Sequence, residues 1–333
     1  MNTRNRFLDL IKLLACFLVI VIHTKGIGVA YEYVLALTRW AVPFFFVITG
    51  MHFFKNDLSK ENIRKCALHK GLHFLKLLLI VNFVYLLYSL CWYLCYGYTL
   101  KEWLDLKFSL SNIARYIINS TLVKDNSNEV LHLWYLVSII KCSVIFILLA
   151  PIFQRVYKLI TVELLSILYL VNYMYGNTLK SIHLNWVLIG LTFLQVGIFI
   201  EDYLNTKIYT LSEGKKIIWQ LKVKQIAPLF IIMGTFITII ETYFIGIREI
   251  YFGSLIIVVS LILLSECNIE ITDKIDCLQI VPANIYYYHV LFLNVFNLYI
   301  PQITWYKPFI IMLVCGSLFY LLQRLKERGT NVT

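Results

Sequence analysis

The chain has 333 residues, 60% of them hydrophobic and only 15% charged, with a net charge of +11 and a mean hydropathy of +0.75. A soluble chain carries roughly 45–50% apolar and about 25% charged residues, so these values exclude an ordinary soluble domain and indicate a polytopic membrane protein. In that class the positive balance reflects loops beside anionic lipid headgroups; the bilayer is the expected partner and nucleic acid is not.

A membrane span needs about 20 mostly apolar residues. Counting such runs predicts an all-α, polytopic transmembrane helical bundle of about ten spans. They cover residues 7–25, 37–54, 72–96, 131–153, 157–175, 182–200, 226–246, 249–266, 280–300 and 306–323. The expectation is a single integral-membrane domain over 1–333, with no cleavable signal peptide and no appended soluble domain.

The first span is the most informative. It is almost wholly apolar yet carries Asp9, Lys12 and His23. Lys12 and His23 are eleven positions apart, roughly three full turns at about 100° per residue, so both leave one helix face roughly 16 Å apart along the axis. Asp9, Cys16 and, less closely, Ile20 share that stripe. Ionisable groups facing hydrocarbon are expensive, so this face is expected to line a protein interior or a wet cavity. The plainer reading is a snorkelling Lys at one end and a packed His at the other.

Lys and Arg placement orients the bundle. Arg4 and Arg6, the cluster Lys55 to Lys76, the cluster Lys207 to Lys224, and Arg324, Lys326 and Arg328 share one side if both termini are cytoplasmic. The acidic loop 266–279 dissents, but acidic residues weigh little in this rule. With that orientation several polar groups converge on the outer half of the membrane: His23, Arg39 at the head of the second span, His132 and Trp134 at the head of the fourth, Glu241 in the seventh and His289 in the ninth. Each has a structural counterpart. Arg39 can anchor at the interface, His132 and Trp134 can belong to an aromatic belt, and His289 among tyrosines can be a satisfied core residue. A carboxylate such as Glu241 inside a span normally has a partner, and Arg39 or Arg248 is available. Lys141, seven positions after Trp134, has no satisfying structural reading.

Other signals are weak. His69 and His73 stand four apart without a third ligand, so no metal site is expected. The eight cysteines read as packed thiols. Asn119 and Asn331 each begin a glycosylation-type triplet that is common by chance.

Lys12, ten intervening residues and His23 resemble the opening of the membrane acyltransferase-3 family, in which many members have Arg at the first position. The lead-in Phe-Leu-Asp-Leu-Ile-Lys at 7–12 is similar. So are Arg39 with Val-Pro-Phe-Phe-Phe-Val-Ile-Thr-Gly at 42–50, the stretch His-Leu-Trp-Tyr-Leu at 132–136, Glu241, and Tyr288 with His289. The family includes sugar and envelope O-acyltransferases and the membrane half of VanT-type serine racemases. The resemblance implies a multi-pass enzyme of the bacterial cytoplasmic membrane. It would move an acyl group, acetyl by family habit, from cytoplasmic acyl-CoA to a hydroxyl of a cell-envelope carbohydrate. His23 would be general base or acyl carrier. Lys12, Arg39, His132, Trp134, Glu241 and His289 would serve acyl-CoA or substrate binding, with acetyl-CoA or another acyl-CoA as co-substrate and no metal. The acceptor's identity and the oligomeric state stay open. The alternative is a membrane transporter or flippase for a small polar or lipid-linked substrate, which buried charges would serve as well. A sensing module related to the racemase membrane half is a third reading.

Overall fold

The computed structural model describes residues 5–24, 29–54, 57–114, 133–175, 184–267, 269, 271, 281–299 and 305–330. Regular structure among them is helical. The principal elements are α1 (Arg6–His23), α2 (Val29–Thr38), α3 (Ala41–Met51), α4 (Lys60–Cys95), α5 (Leu100–Phe108), α6 (Trp134–Tyr175), α7 (Leu184–Tyr203), α8 (Glu213–Ile245), α9 (Phe252–Ser265), α10 (Val281–Tyr299) and α11 (Lys307–Thr330). A π-helical turn, Leu204–Ile208, follows α7.

Six of the described stretches are long and apolar enough to cross a membrane: Ala30–Met51, Lys60–Cys95, Trp134–Met174, Val187–Ile208, Glu213–Ile245 and Lys307–Leu325. The protein is thus an all-helical membrane protein. The segments expected as spans at 7–25 and 249–266 are the helices α1 and α9. α1 carries three charges, Arg6, Asp9 and Lys12. α9 has 14 residues, about 21 Å at 1.5 Å per residue, short of a hydrocarbon core of about 30 Å.

One proline explains a departure from a straight span, and a second leaves a carbonyl to be satisfied by a side chain. The run expected as one span at 37–54 instead has a turn at Arg39 and Trp40, between α2 and α3. Pro43 has no N–H to offer the Arg39 carbonyl and its ring crowds it, so the helix breaks four residues before the proline; Phe44 N–H then bonds the Trp40 carbonyl at 3.0 Å. Within α6, Pro151 likewise releases the Ile147 carbonyl, and Arg64 of α4 donates to it through Nε at 3.3 Å. The backbone of α6 then leaves helical geometry at Val156 (φ −131°, ψ 20°).

The chain forms two compact units, one of residues 1–48 and 202–333 and the other of residues 49–201. The second unit is built on α4 against α6. Phe53, Phe54, Phe146 and Phe153 are all buried there, with ring centroids 4.9 to 5.8 Å apart. Gly50, in the end of α3, lies directly against the Leu194 backbone of α7, where a side chain has no room.

In the first unit α1 is the central element: it packs on α2, α9, α10 and α11. Its N-terminus is held by Asn5. The Asn5 side-chain oxygen accepts from Leu8 N–H at 2.9 Å, and its amide donates to the Ser265 carbonyl at the end of α9 at 2.6 Å. α8 and α9 form a hairpin whose helices approach backbone to backbone. A Cβ on Gly253 would fall inside the envelope of the Gly234 carbonyl and the Thr238 hydroxyl. The small residues Gly234, Thr238 and Thr242 recur every fourth position on α8, the spacing that lets membrane helices touch. Thr238 and Thr242 return their hydroxyls to the carbonyls one turn earlier, at 2.9 and 2.7 Å.

Gly253→Val is therefore expected to lower thermal stability in detergent by about 1–3 kcal/mol through overpacking. Gly214→Ala, where an added Cβ meets nothing within 4 Å, is expected to be neutral or to stabilise by up to about 1 kcal/mol. Equal midpoints for Gly253→Val and wild type would show that the hairpin is not closely packed.

Candidate functional site

On α1 the polar stripe foreseen from periodicity is the packed face. Asp9, Cys16 and Ile20 are buried, at 5%, 1% and 0% exposure, while Leu14 on the opposite side is 49% exposed. Lys12 and His23 lie on the same side of the helix and are half-buried. Lys12 Nζ stands 3.1 Å from Asp9 Oδ1, one turn away on the same helix. That ion pair lets a cation sit in an apolar helix without facing hydrocarbon.

The stripe meets α10 at two points. Cys16 Sγ donates to the Pro282 carbonyl at 3.0 Å. Seven positions further along both helices, the His23 and His289 rings lie with centroids 5.2 Å apart at 45°. Equal offsets on both helices mean that α1 and α10 run parallel and in register along this seam. Seven residues are about two turns, so both contacts fall on the same pair of faces. Phe17 packs on Phe309 of α11, with centroids 4.9 Å apart. Phe45 of α3 reaches Tyr286, which adjoins His289, at 6.1 and 6.3 Å.

His289 is fully buried. Its Nδ1 lies 3.0 Å from the Ile285 carbonyl and 2.8 Å from the Tyr286 carbonyl. Two carbonyls can only accept, so Nδ1 carries the proton and, in the neutral ring, Nε2 carries the lone pair. α10 thereby fixes both the orientation and the tautomer of this imidazole through its own backbone.

The sequence offers Arg39 or Arg248 as a partner for Glu241; the structure gives Arg39 an ion pair with Glu249 and Glu241 a pair of backbone donors. Arg39 Nη1 bonds Glu249 Oε2 at 2.9 Å, with both side chains mostly buried. Glu249 drew no attention in the sequence because it sits in the short connection at 246–250; an acidic residue in a tight turn beside an arginine-bearing span was the available signal. Glu241 caps α9: its Oε1 and Oε2 accept from Phe252 and Gly253 N–H at 3.0 Å each. These are orphan donors at a helix N-terminus, where a carboxylate is favoured. The connection itself is clamped by Tyr251, fully buried, whose hydroxyl accepts from Arg248 N–H at 2.8 Å and donates to the Gly246 carbonyl at 3.1 Å. Gly246 has φ +68° and turns the chain out of α8.

In the second unit Trp134 is half-buried at the head of α6. Its neighbour Tyr135 shares a hydrogen bond of 2.5 Å with Thr49. Lys141 is half-buried further along α6. His132 lies outside the described residues.

The acyltransferase-3 family model, described as an acyltransferase domain, matches residues 5–211, more than half of the chain. The chain belongs to the acyltransferase-3 family. No protein of curated function and no solved structure matches it. The protein is therefore a membrane acyltransferase, and the resemblance first read from Lys12 and His23 extends through α7. The matched stretch holds Lys12, His23, Arg39, His132 and Trp134. It stops before Glu241 and His289, so the residue that the fold sets against His23 comes from beyond it.

If Glu241 of this acyltransferase is a cap, Glu241→Ala should lower thermal stability by about 1–2 kcal/mol. Glu241→Gln, keeping one acceptor oxygen, should fall between it and wild type. A substrate-binding role predicts the opposite signature: unchanged stability with a raised KM.

Proposed function

We propose that the protein transfers an acyl group, acetyl by preference, from cytoplasmic acyl-CoA to a hydroxyl of a cell-envelope carbohydrate, with His23 at the chemistry. The observation that carries this reading is the single face of α1. It joins Lys12 to His23 over roughly 16 Å and sets His23 against a second, backbone-fixed imidazole in a chain of an acyltransferase family. The enzyme would work as one integral-membrane domain of about ten spans, both termini cytoplasmic, in the cytoplasmic membrane of a bacterium.

Acyl-CoA is made inside the cell and envelope acceptors lie outside, so the thioester must reach across the bilayer. Lys12 marks the cytoplasmic mouth. Asp9 holds its ammonium in place through one contact, and an ammonium has three donors, which leaves capacity for the nucleotide phosphates of CoA. The pantetheine arm then follows the face of α1 outward. At His23 the acceptor hydroxyl gives its proton to the imidazole as its oxygen attacks the thioester carbonyl. The C–S bond breaks, the new C–O ester bond forms, and the proton passes from the imidazolium to the departing CoA thiolate. In the acyl-carrier version His23 first displaces the thiolate and then yields the acyl group to the acceptor; the products are the same ester and free CoA. Arg39, Trp134 and His132 are proposed individually as acyl-CoA or substrate-binding residues. Glu241 contributes through the α8–α9 hairpin that it caps.

The test is acetyl-CoA turnover in membranes bearing wild type or His23→Ala, with envelope carbohydrate analysed for esters. Wild type should release CoA and form esters, and His23→Ala should lose at least about a hundredfold in rate while inserting normally. Lys12→Ala should raise KM for acetyl-CoA about tenfold with kcat little changed. Equal rates for wild type and His23→Ala would remove His23 from the chemistry, and a wild type that consumes no acyl-CoA with acceptors supplied would favour a transporter.

A further inference from the structure

We propose that Arg39, Arg248 and Ser254 form a subsite for a singly charged oxyanion, a carboxylate or a phosphodiester, on the molecule whose hydroxyl is acylated. Assigning the anion to that acceptor rests on the proposed transfer to envelope carbohydrate. Three features of the α8–α9 connection carry the site itself.

The first is a gathering of buried polar atoms. Arg39 Nε, Arg248 Nε and Ser254 Oγ are buried without a hydrogen-bond partner. Arg248 lies in the connection and Ser254 in the first turn of α9, while Arg39 is tied to the connection by its 2.9 Å bond to Glu249. Buried polar groups in folded proteins nearly always have partners, so orphans gathered at one place point to a ligand that supplies them. The second feature is charge. Glu249 is paired with Arg39, and Glu241 accepts from the Phe252 and Gly253 N–H groups. Arg248 has no ion pair among the described residues. One half-buried cation without a counter-charge calls for one negative charge. A guanidinium presents a planar fork of donors that matches the paired oxygens of a carboxylate or phosphate, and the Ser254 hydroxyl can add a neutral donor.

The third feature is position. Asn5 at the head of α1 bonds the Ser265 carbonyl at the tail of α9, and the two helices pack together, so they run antiparallel from that point. The 14 residues of α9 cover about 21 Å. Its first turn therefore stands at the same end of the first unit as His23, the last residue of α1. Lys12, to which the phosphates of CoA are assigned, lies toward the opposite end. An anion held at the α8–α9 connection thus belongs to the other substrate. Arg248 and Glu249 are both half-buried, which puts the cluster at the protein surface, where a ligand can approach. The sequence offered Arg248 as a counter-charge for Glu241; with Glu241 on the N-terminus of α9, Arg248 is available to a ligand.

The experiment titrates purified full-length wild type, Arg248→Gln and Ser254→Ala with methyl glucuronide, dimethyl phosphate and neutral methyl glucoside at matched ionic strength, reading the thermal midpoint. Acetyl-CoA turnover with envelope carbohydrate is followed in the same preparations. Wild type should be stabilised by at least one of the two anions and not by methyl glucoside, and the preferred anion names the charged group of the acceptor. Arg248→Gln should weaken that anion at least about tenfold and Ser254→Ala about threefold; if Arg248→Gln fails to insert, Ser254→Ala carries the test. In turnover the bound anion should raise KM for the carbohydrate without lowering kcat. A wild type that discriminates neither anion from methyl glucoside overturns the proposal, as do folded variants that bind the anion like wild type. An anion that binds but leaves KM for the carbohydrate unchanged overturns its assignment to the acceptor. A wild type that binds the anion and consumes no acetyl-CoA sinks the transfer reading and leaves the anion site standing.

Discussion

An ion pair near the start of an otherwise apolar helix is the constraint on which the first unit depends. Asp9 and Lys12 cannot face hydrocarbon without a large penalty, so α1 must turn that side toward protein. It does so by standing among α2, α9, α10 and α11. Once that face is turned to protein, the residues two, three and four turns along it meet protein as well. Cys16 finds the Pro282 carbonyl, Ile20 is wholly buried, and His23 arrives beside His289. The chemistry assigned to His23 is thus a consequence of where a helix with a charged first turn is able to pack.

Other described ionisable groups of this unit are held by architecture. Glu241 holds the first turn of α9, Arg39 is joined to Glu249, and Tyr251 clamps the connection between α8 and α9. Each satisfies a backbone end or a charge that would otherwise be stranded away from water.

Much of this was legible in the sequence, for reasons that can be named. The face of α1 was readable because charges are rare in an apolar run and helical spacing places them without any knowledge of neighbours. The break at Arg39 and Trp40 was written in Pro43, yet hydropathy alone carried one span across it. His23 and His289 were both singled out, but their meeting was not readable, since 266 positions separate them and only the parallel seam of α1 and α10 joins them. Glu241 announced itself as a carboxylate needing a partner. That its partners include a pair of backbone N–H groups follows from the hairpin closing back on itself through Gly234 and Gly253, a close approach that residue types hint at and do not locate. Glu249 escaped because a short turn offers no periodicity to read.

The central claim is that an acyl-CoA thioester comes to rest beside His23 inside the first unit. Photolabelling with a CoA thioester whose acyl chain carries a diazirine, followed by peptide mapping, tests it most directly. The account predicts label on the last turn of α1 or on α10 around Tyr286 to His289, suppressed by excess acetyl-CoA. Competed label that maps elsewhere and spares both segments would contradict it.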